Sequence, residues 1–448
     1  MAKPGTVFLV GAGPGDPGLL TQKAAELMKH CDVVCYDLLV GEAILAQIPK
    51  DKTLIPVGYR GYCGTSIEYG MHPEVIDAAL AGNQVLRLKA GDPFIFGRAT
   101  EECLCLQHFG IDYQVVPGIS ASLGAAAYAG FPLTSNGMAS DVTFASGHRT
   151  TKTICNWAAL GQSSGTLVLY MGAKKLAGHA EILMQEGKSG DTPVAIISAA
   201  TSAHQRMLSS TLATVGKQVT EFDNGDPMLV VIGDVVTLAP KLDWRSLLPL
   251  SNTQILASGD NSWLADKLKL AGAIVAYPFG TKLNQCFSQQ AWTSLLNQKE
   301  LHLADISSAK ALLNSARKYQ LDSRNWRWQL TACSQAQSWL AERAIICPAE
   351  PSQNAIRLHQ HSNGLQTERH LQVPSYPLRA TSIALIDDIE ALQYLHDNAL
   401  LSDDAQLLTT STHMQSLIQQ QGLDASVISN NEQFLLWLSR QTRTEQAA

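Results

Sequence analysis

The chain has no long apolar run: nothing approaches the roughly 18 uncharged residues that a membrane-spanning helix needs. Its start lacks the charged, apolar and small-residue succession of a signal peptide, so the expectation is a cytoplasmic protein with no membrane partner. Positive charge is short as well: 33 Lys and Arg stand against 39 Asp and Glu, a formal charge of −6. That balance argues against a general nucleic-acid or anionic-surface binder. Nine cysteines are scattered, with Cys31/Cys35 and Cys103/Cys105 the close groupings. Neither pair has CxxC spacing and no histidine cluster accompanies them, so reduced structural thiols and no metal are expected.

What is present is an ample core, 46% of residues being hydrophobic, over a length that suits two or three domains. The chain changes character near residue 245. Before it, apolar runs such as Val85 to Leu88, Thr166 to Tyr170, Val194 to Ile197 and Met228 to Ile232 alternate with helical patterns such as Thr100 to His108. After it the chain is richer in Gln, Ser and Leu, with weaker strands. The expected division is 1–245, a linker over 246–252, a second α/β domain over 253–440, and a tail over 441–448.

The densest signal is Val7 to Thr21. A strand ends in Gly11-Ala-Gly-Pro-Gly-Asp-Pro-Gly18, where four of eight residues are glycine and two are proline. Glycine admits positive φ and close approach, while proline shapes the loop. Thr21 is placed to cap a helix over Gln22 to His30. Gly13-x-Gly15-x-x-Gly18 matches the dinucleotide fingerprint and Asp37 lies near its ribose acid. Yet Pro17 offers no amide and Asp16 would repel a phosphate, so a ligand other than a pyrophosphate is expected. Further strand-to-glycine turns follow at Arg87 to Arg98, at Val115 to Ser122 and at Leu169 to Gly172. Each alone is an ordinary α/β loop; several together suggest a ligand at the carboxyl ends of strands.

GAGPGDPGLLT, YDLLV (36–40), LKAGDPFIFGR, VVPGIS, AYAGFPLT, SGH, YMG and TPVA stand in order over about residues 5 to 245. This series closely resembles the uroporphyrinogen-III C-methyltransferases of the tetrapyrrole methylase family. The resemblance implies a two-lobed α/β fold, use of S-adenosylmethionine, a tetrapyrrole substrate converted to precorrin-2, and a homodimer. Carried over residue by residue, it places cofactor contacts at Pro14, Ala90, Gly91, Asp92, Ile95, Ser120, Ala121, Met171 and Ala200. It makes Asp37, which alone would read as a cap or surface acid, the proton acceptor. Arg60, Arg98 and His148 are the expected substrate contacts, with Arg87, Lys89, Arg149, Lys152 and Lys174 as further cations for a polycarboxylate.

Departures fall mainly on the substrate side. VGKR reads Val57-Gly-Tyr59-Arg60, so a phenol replaces the lysine proton donor. PLTHR reads PLTSN, LKGGDP reads LKAGDP, FGRGGEE reads FGRATEE, and a later glycine is Ala200. They leave another precorrin substrate, or a non-catalytic binding role, as alternatives. Beyond the linker, Ile255 to Pro278 is similar to the opening βαβ unit of uroporphyrinogen-III synthases, and Leu407 to Leu423 to their closing part.

Overall fold

The computed structural model describes residues 3–58, 70–148, 156–259, 262–322, 326–341, 343–351 and 355–445, the last four by backbone only. Tyr59 and Arg60, and with them Arg149 and Lys152, lie outside the described residues.

The first sheet holds β1 (Val7–Gly11), β2 (Val33–Tyr36), β3 (Thr53–Pro56), β4 (Val85–Lys89) and β5 (Tyr113–Val116), all parallel, in the order β3-β2-β4-β1-β5. Between them run α1 (Gln22–His30), α2 (Glu42–Leu45), α3 (Pro73–Leu80) and α4 (Ala99–His108), with α5 (Ala121–Tyr128) after β5. Thr21 caps α1, its side chain accepting from the Ala24 amide.

Parallel strands covered on both faces should read as continuous apolar runs, and β1 does. Val7 and Leu9 enter one core with Val75, Val85 and Leu106; Val10, Leu86 and Leu88 enter the other with Met28 and Ile44. β4 departs from that rule at Arg87 and Lys89. With a period of two, both project to the Val85 face, the side covered by α4.

The second sheet is mixed. Its strands are β6 (Val142–Ser146), β7 (Thr166–Tyr170), β8 (Pro193–Ser198), β9 (Arg206–Thr211) and β10 (Met228–Ile232), ordered β6-β7-β10-β8-β9. Only β6 and β7 run parallel; β7, β10, β8 and β9 pair antiparallel. The strand β9, Arg-Met-Leu-Ser-Ser-Thr, is too polar to have stood out in the sequence.

Ten strands follow. They are β11 (Gln254–Ala257), β12 (Ile274–Ala276), β13 (Gly280–Phe287), β14 (Glu300–Leu303), β15 (Gln329–Ala332), β16 (Ile356–Leu358), β17 (Leu365–Gln372), β18 (Thr381–Leu385), β19 (Leu401–Thr409) and β20 (Ala425–Val427). A parallel sheet β12-β11-β18-β19-β20 belongs, with the first two sheets, to one compact unit of residues 1–279 and 373–448. Residues 280–372 form a second unit, with a parallel sheet β15-β14-β16, the antiparallel pair β13-β17, and a core around Trp292, Trp328, Leu301 and Leu312. The fold is therefore α/β throughout, and the region after residue 253 is interrupted by an inserted unit rather than continuous.

Within the first unit the later strands are locked onto the earlier ones. Tyr376 and Leu378 pack into the core of Val34, Tyr36, Val40 and Ile44. The Arg379 amide and the Gln254 side chain both donate to Glu42, and the Arg379 guanidinium pairs with Asp226 at 2.5 Å. No helix among the described residues is long and apolar enough to cross a membrane.

Candidate functional site

The loops that leave β1, β4 and β5 at their carboxyl ends are stacked backbone on backbone. Gly13 and Gly91 exchange amide hydrogen bonds at 2.8 and 3.2 Å. A Cβ on Gly118 would stand 2.4 Å from the Gly91 carbonyl oxygen and 2.8 Å from Gly11 Cα, so only glycine lets the three loops approach this closely. Gly13 and Gly91 also lie at φ +72° and +69°. The bridge diverts the β1 loop from the helix amides a pyrophosphate would need, and a 3-10 turn at Pro17–Leu19 precedes α1. Asp16 serves structure: it accepts from the Gly18 amide at 2.7 Å and from the Tyr128 hydroxyl at 2.7 Å.

The second sheet meets this cradle from its own edge, where β6, β7 and β8 end in register. The Tyr170 hydroxyl at the end of β7 lies 2.6 Å from Ser120 Oγ, donates to Ser122 Oγ at 2.8 Å and accepts from the Ser122 amide at 3.1 Å. A tyrosine at the end of β7 thus caps α5, whose Ala125 and Ala126 pack into the core of the same sheet. Its ring packs on Phe96 at 4.8 Å between centroids. Behind β8, Ala199 and Thr201 take φ +49° and +61°, and the Thr201 hydroxyl accepts from the Asp16 amide at 3.1 Å. A Cβ on Gly15 would stand 3.0 Å from the Ala200 carbonyl oxygen, and one on Gly124 2.5 Å from Pro14 Cγ.

Contacts therefore join every stretch that carries an expected cofactor residue: Pro14, Ala90 to Ile95, Ser120 and Ala121, Met171, and Ala200. Five of the eight described non-glycine residues with positive φ, namely Phe96, Arg98, Met171, Ala199 and Thr201, sit in these loops. Strain of that kind collects where geometry is over-determined by function. The glycine-to-alanine departures cost no backbone strain, because neither Ala90 nor Ala200 is in the left-handed region while the adjacent Gly91 is. Met171 is 56% exposed at the sheet edge, open to contact a ligand.

The Asp92 carboxylate staples the loop, accepting from the Phe94 amide at 2.8 Å and the Gly118 amide at 3.1 Å. One expectation changes. Arg87 and Lys89 were expected among the substrate-facing cations, but both are buried, each 4% exposed. Alternation along β4 turns them under α4, where Glu102 awaits them. Arg98 remains at the surface as the N-cap residue of α4, 3.5 Å from Glu101. His148 is exposed after β6, where Gly147 packs on Gly172 next to Met171.

Asp37 leaves the end of β2 with its amide bonded to Leu88 O. Arg87 Nη2 donates to Asp37 Oδ1 at 2.5 Å and lies 3.0 Å from Glu102 Oε1. Lys89 Nζ stands 2.8 Å from Glu102 Oε2, as a charge contact outside hydrogen-bond alignment, and 3.9 Å from Asp37 Oδ2. Burial lowers the Lys89 ammonium pKa and Arg87 adds to that, with Glu102 and Asp37 opposing; for Arg87, burial is outweighed by the same two carboxylates, which raise it. The Asp37 side chain, 23% exposed, is the member of this quartet that reaches solvent. Gly58, the last described residue before Tyr59, passes directly above it: a Cβ there would lie 3.1 Å from Asp37 Oδ1.

Glu102 and the Tyr170 hydroxyl are the functional-site residues that the sequence reading missed. The signal for Glu102 was present: two cations at alternate positions of an otherwise apolar buried strand demand carboxylates on the covering helix. Among the described residues no group of three or more His, Cys, Asp or Glu could hold a metal, and the seven described cysteines are free thiols.

Residues 6–216 match the family described as Tetrapyrrole (Corrin/Porphyrin) Methylases. A siroheme synthase of Pseudomonas fluorescens (strain SBW25) is 46% identical over 242 residues, 54% of this chain and 52% of that protein. One from Pseudoalteromonas atlantica (strain T6c) is 44% identical over 241 residues, with the same shares. The chain thus spans about half the length of the curated relatives it matches. Among solved structures, the uroporphyrin-III C-methyl transferase of Thermus thermophilus complexed with S-adenyl homocysteine is 34% identical. That likeness covers 52% of this chain and 93% of that one, at a TM-score of 0.45.

Proposed function

We propose, from the premise that residues 6–216 are a tetrapyrrole methylase domain, that this protein transfers methyl groups from S-adenosylmethionine to uroporphyrinogen III, at C2 and C7, giving precorrin-2. The observation that carries the reading is the convergence of loops from both sheets on one cradle, with Asp37 at the neighbouring strand end.

The cradle fits the cofactor chemically. It is lined by glycine and alanine backbone, by the half-exposed Met171 and by the carboxylate-bearing Asp92 loop, surroundings suited to a compact cation with an apolar body. The cofactor supplies an electrophilic methyl on a sulfonium; this chain's part is to hold the substrate carbon in line, where orientation supplies most of the acceleration. A macrocycle that gains a methyl must lose a proton, and Asp37 is the carboxylate placed to take it. Arg98 and His148, exposed on loops at the strand ends, are the side chains offered to the substrate's carboxylates.

Anaerobic incubation with uroporphyrinogen III and methyl-labelled S-adenosylmethionine, read by mass, tests this. Two added methyls are expected, and Asp37→Asn should slow their appearance. Cofactor binding without transfer would sink uroporphyrinogen III as substrate and favour another precorrin, the reading to which Tyr59 and Ser135-Asn136 point. For the C-terminal region the proposal is a uroporphyrinogen-III synthase-like fold, whose activity hydroxymethylbilane turnover would reveal. It is supported by β11, β12, β19 and β20, the opening and closing parts in sequence, lying in one parallel sheet. A homodimer remains part of the proposal, open to sedimentation.

A further inference from the structure

Resting on the reading of Asp37 as the proton-accepting carboxylate, we propose that Glu102 is its positioning residue, acting through the two cations Arg87 and Lys89. Glu102 touches neither face of the cradle; it is buried in α4 among Cys103, Cys105 and Leu106. Its two oxygens serve two different cations. Oε1 accepts from Arg87 Nε at 3.1 Å, and Oε2 faces Lys89 Nζ at 2.8 Å. The same guanidinium is tied by Nη1 to Leu88 O at 3.2 Å and by Nη2 to Asp37. A single plane is thus held by Glu102 and the Leu88 carbonyl and presents its Nη2 donor to the carboxylate at the end of β2.

The quartet is neutral, two cations against two carboxylates, and asymmetric. Three members are sealed and one opens to solvent. In a purely structural ion cluster nothing requires that asymmetry; in a device that aims one carboxylate, the sealed partners fix its rotamer and the charge around it. Arg87 and Lys89 are the cations that face Asp37 among the described residues.

Charge balance gives the proposal a signature. Glu102→Gln leaves two cations facing Asp37 alone, which favours its ionised form. Lys89→Met, which keeps the aliphatic stem, leaves two carboxylates sharing Arg87, which favours protonation. The other titratable groups packed around the cluster are Cys35 on β2, Cys103 and Cys105 on α4, Tyr113 on β5, which bonds Cys103, and Glu74 on α3, which faces Cys35. Burial pushes the Cys35 thiol up to about 12 and raises Cys103, so both are neutral at physiological pH.

The test is a titration of the Asp37 carboxyl by carbon-13 NMR of aspartate-labelled protein, assigned with Asp37→Asn, alongside the pH profile of kcat/KM. Glu102→Gln should move the Asp37 titration and the acid limb to lower pH by about one unit, and Lys89→Met should move both upward by a similar amount. At neutral pH, kcat/KM of Glu102→Gln should fall roughly tenfold or more, with Glu102→Asp recovering part of it. Displacements of the same sign in both variants, or none, overturn the proposal. If Glu102→Gln does not fold, the upward displacement in Lys89→Met decides alone. Because the NMR titration needs no substrate, opposite shifts in a protein that leaves uroporphyrinogen III unmethylated would keep the positioning role and sink the substrate reading instead.

Discussion

Gly118→Ala tests whether the glycine loops act as one binding surface. The new methyl would stand 2.4 Å from the Gly91 carbonyl oxygen and 2.8 Å from Gly11 Cα, and both neighbours are backbone. A carbon and an oxygen settle at about 3.3 Å or more, so the β4 and β5 loops must part by roughly 1 Å. Overpacking of this kind costs about 1–3 kcal/mol. If the loops bind the cofactor jointly, most of that cost appears in affinity, where each 1.4 kcal/mol is about tenfold. S-adenosylhomocysteine measured by titration calorimetry should therefore bind about 5- to 150-fold more weakly. Gly110→Ala is the control. It lies at φ +64° with no atom near the added methyl, so it strains the backbone by about 1–2 kcal/mol without touching the cradle. Its affinity should match the wild type while its melting temperature falls. Gly118→Ala binding within twofold of the wild type, at an unchanged melting temperature, would refute the reasoning.

Four further outcomes are expected. Tyr170→Phe removes the hydroxyl that caps α5 and leaves the buried Ser122 amide and hydroxyl short of a partner, a loss of about 1–3 kcal/mol in urea denaturation. Tyr376→Ala should lose about 3–5 kcal/mol although residue 376 lies far beyond the methylase motifs, because its ring fills the core beneath β2. Tyr376→Phe should be neutral or stabilising in the same assay, since the buried hydroxyl has no partner. At alkaline pH, the Cys35 thiol, raised by burial from an ordinary 9 to about 12, keeps its proton longer folded than unfolded. Its contribution is whole below about pH 9 and is lost as pH rises toward 12. Stability measured from pH 8 to 11 should fall less steeply in Cys35→Val than in the wild type, and equal slopes would count against it.

The elements legible in the sequence are those whose cause is local. Met228–Ile232 and Thr166–Tyr170 stand at the residues read from their apolar runs, and Thr21 caps Gln22–His30 as its side chain and position required. The polar β9 is a strand because β8 offers it a ladder, a cause its own residues do not contain. Likewise the break of the C-terminal region into a sheet strand set and an inserted unit follows from the pairing of β11 with β18, more than a hundred residues apart.

By itself the sequence determined the glycine loops, the strand-end placement of Asp37 and the motif order that relates residues 6–216 to the tetrapyrrole methylases. These are encoded by neighbours along the chain, where φ preferences and period-two patterning act. Tertiary structure alone decided which charged groups would face a ligand. Arg87 and Lys89 read as surface cations until β4 is placed in the middle of a parallel sheet and α4 covers one face of it. A charge buried there needs a counter-ion within a few ångströms, and only the packed fold brings Glu102 and Asp37 to it.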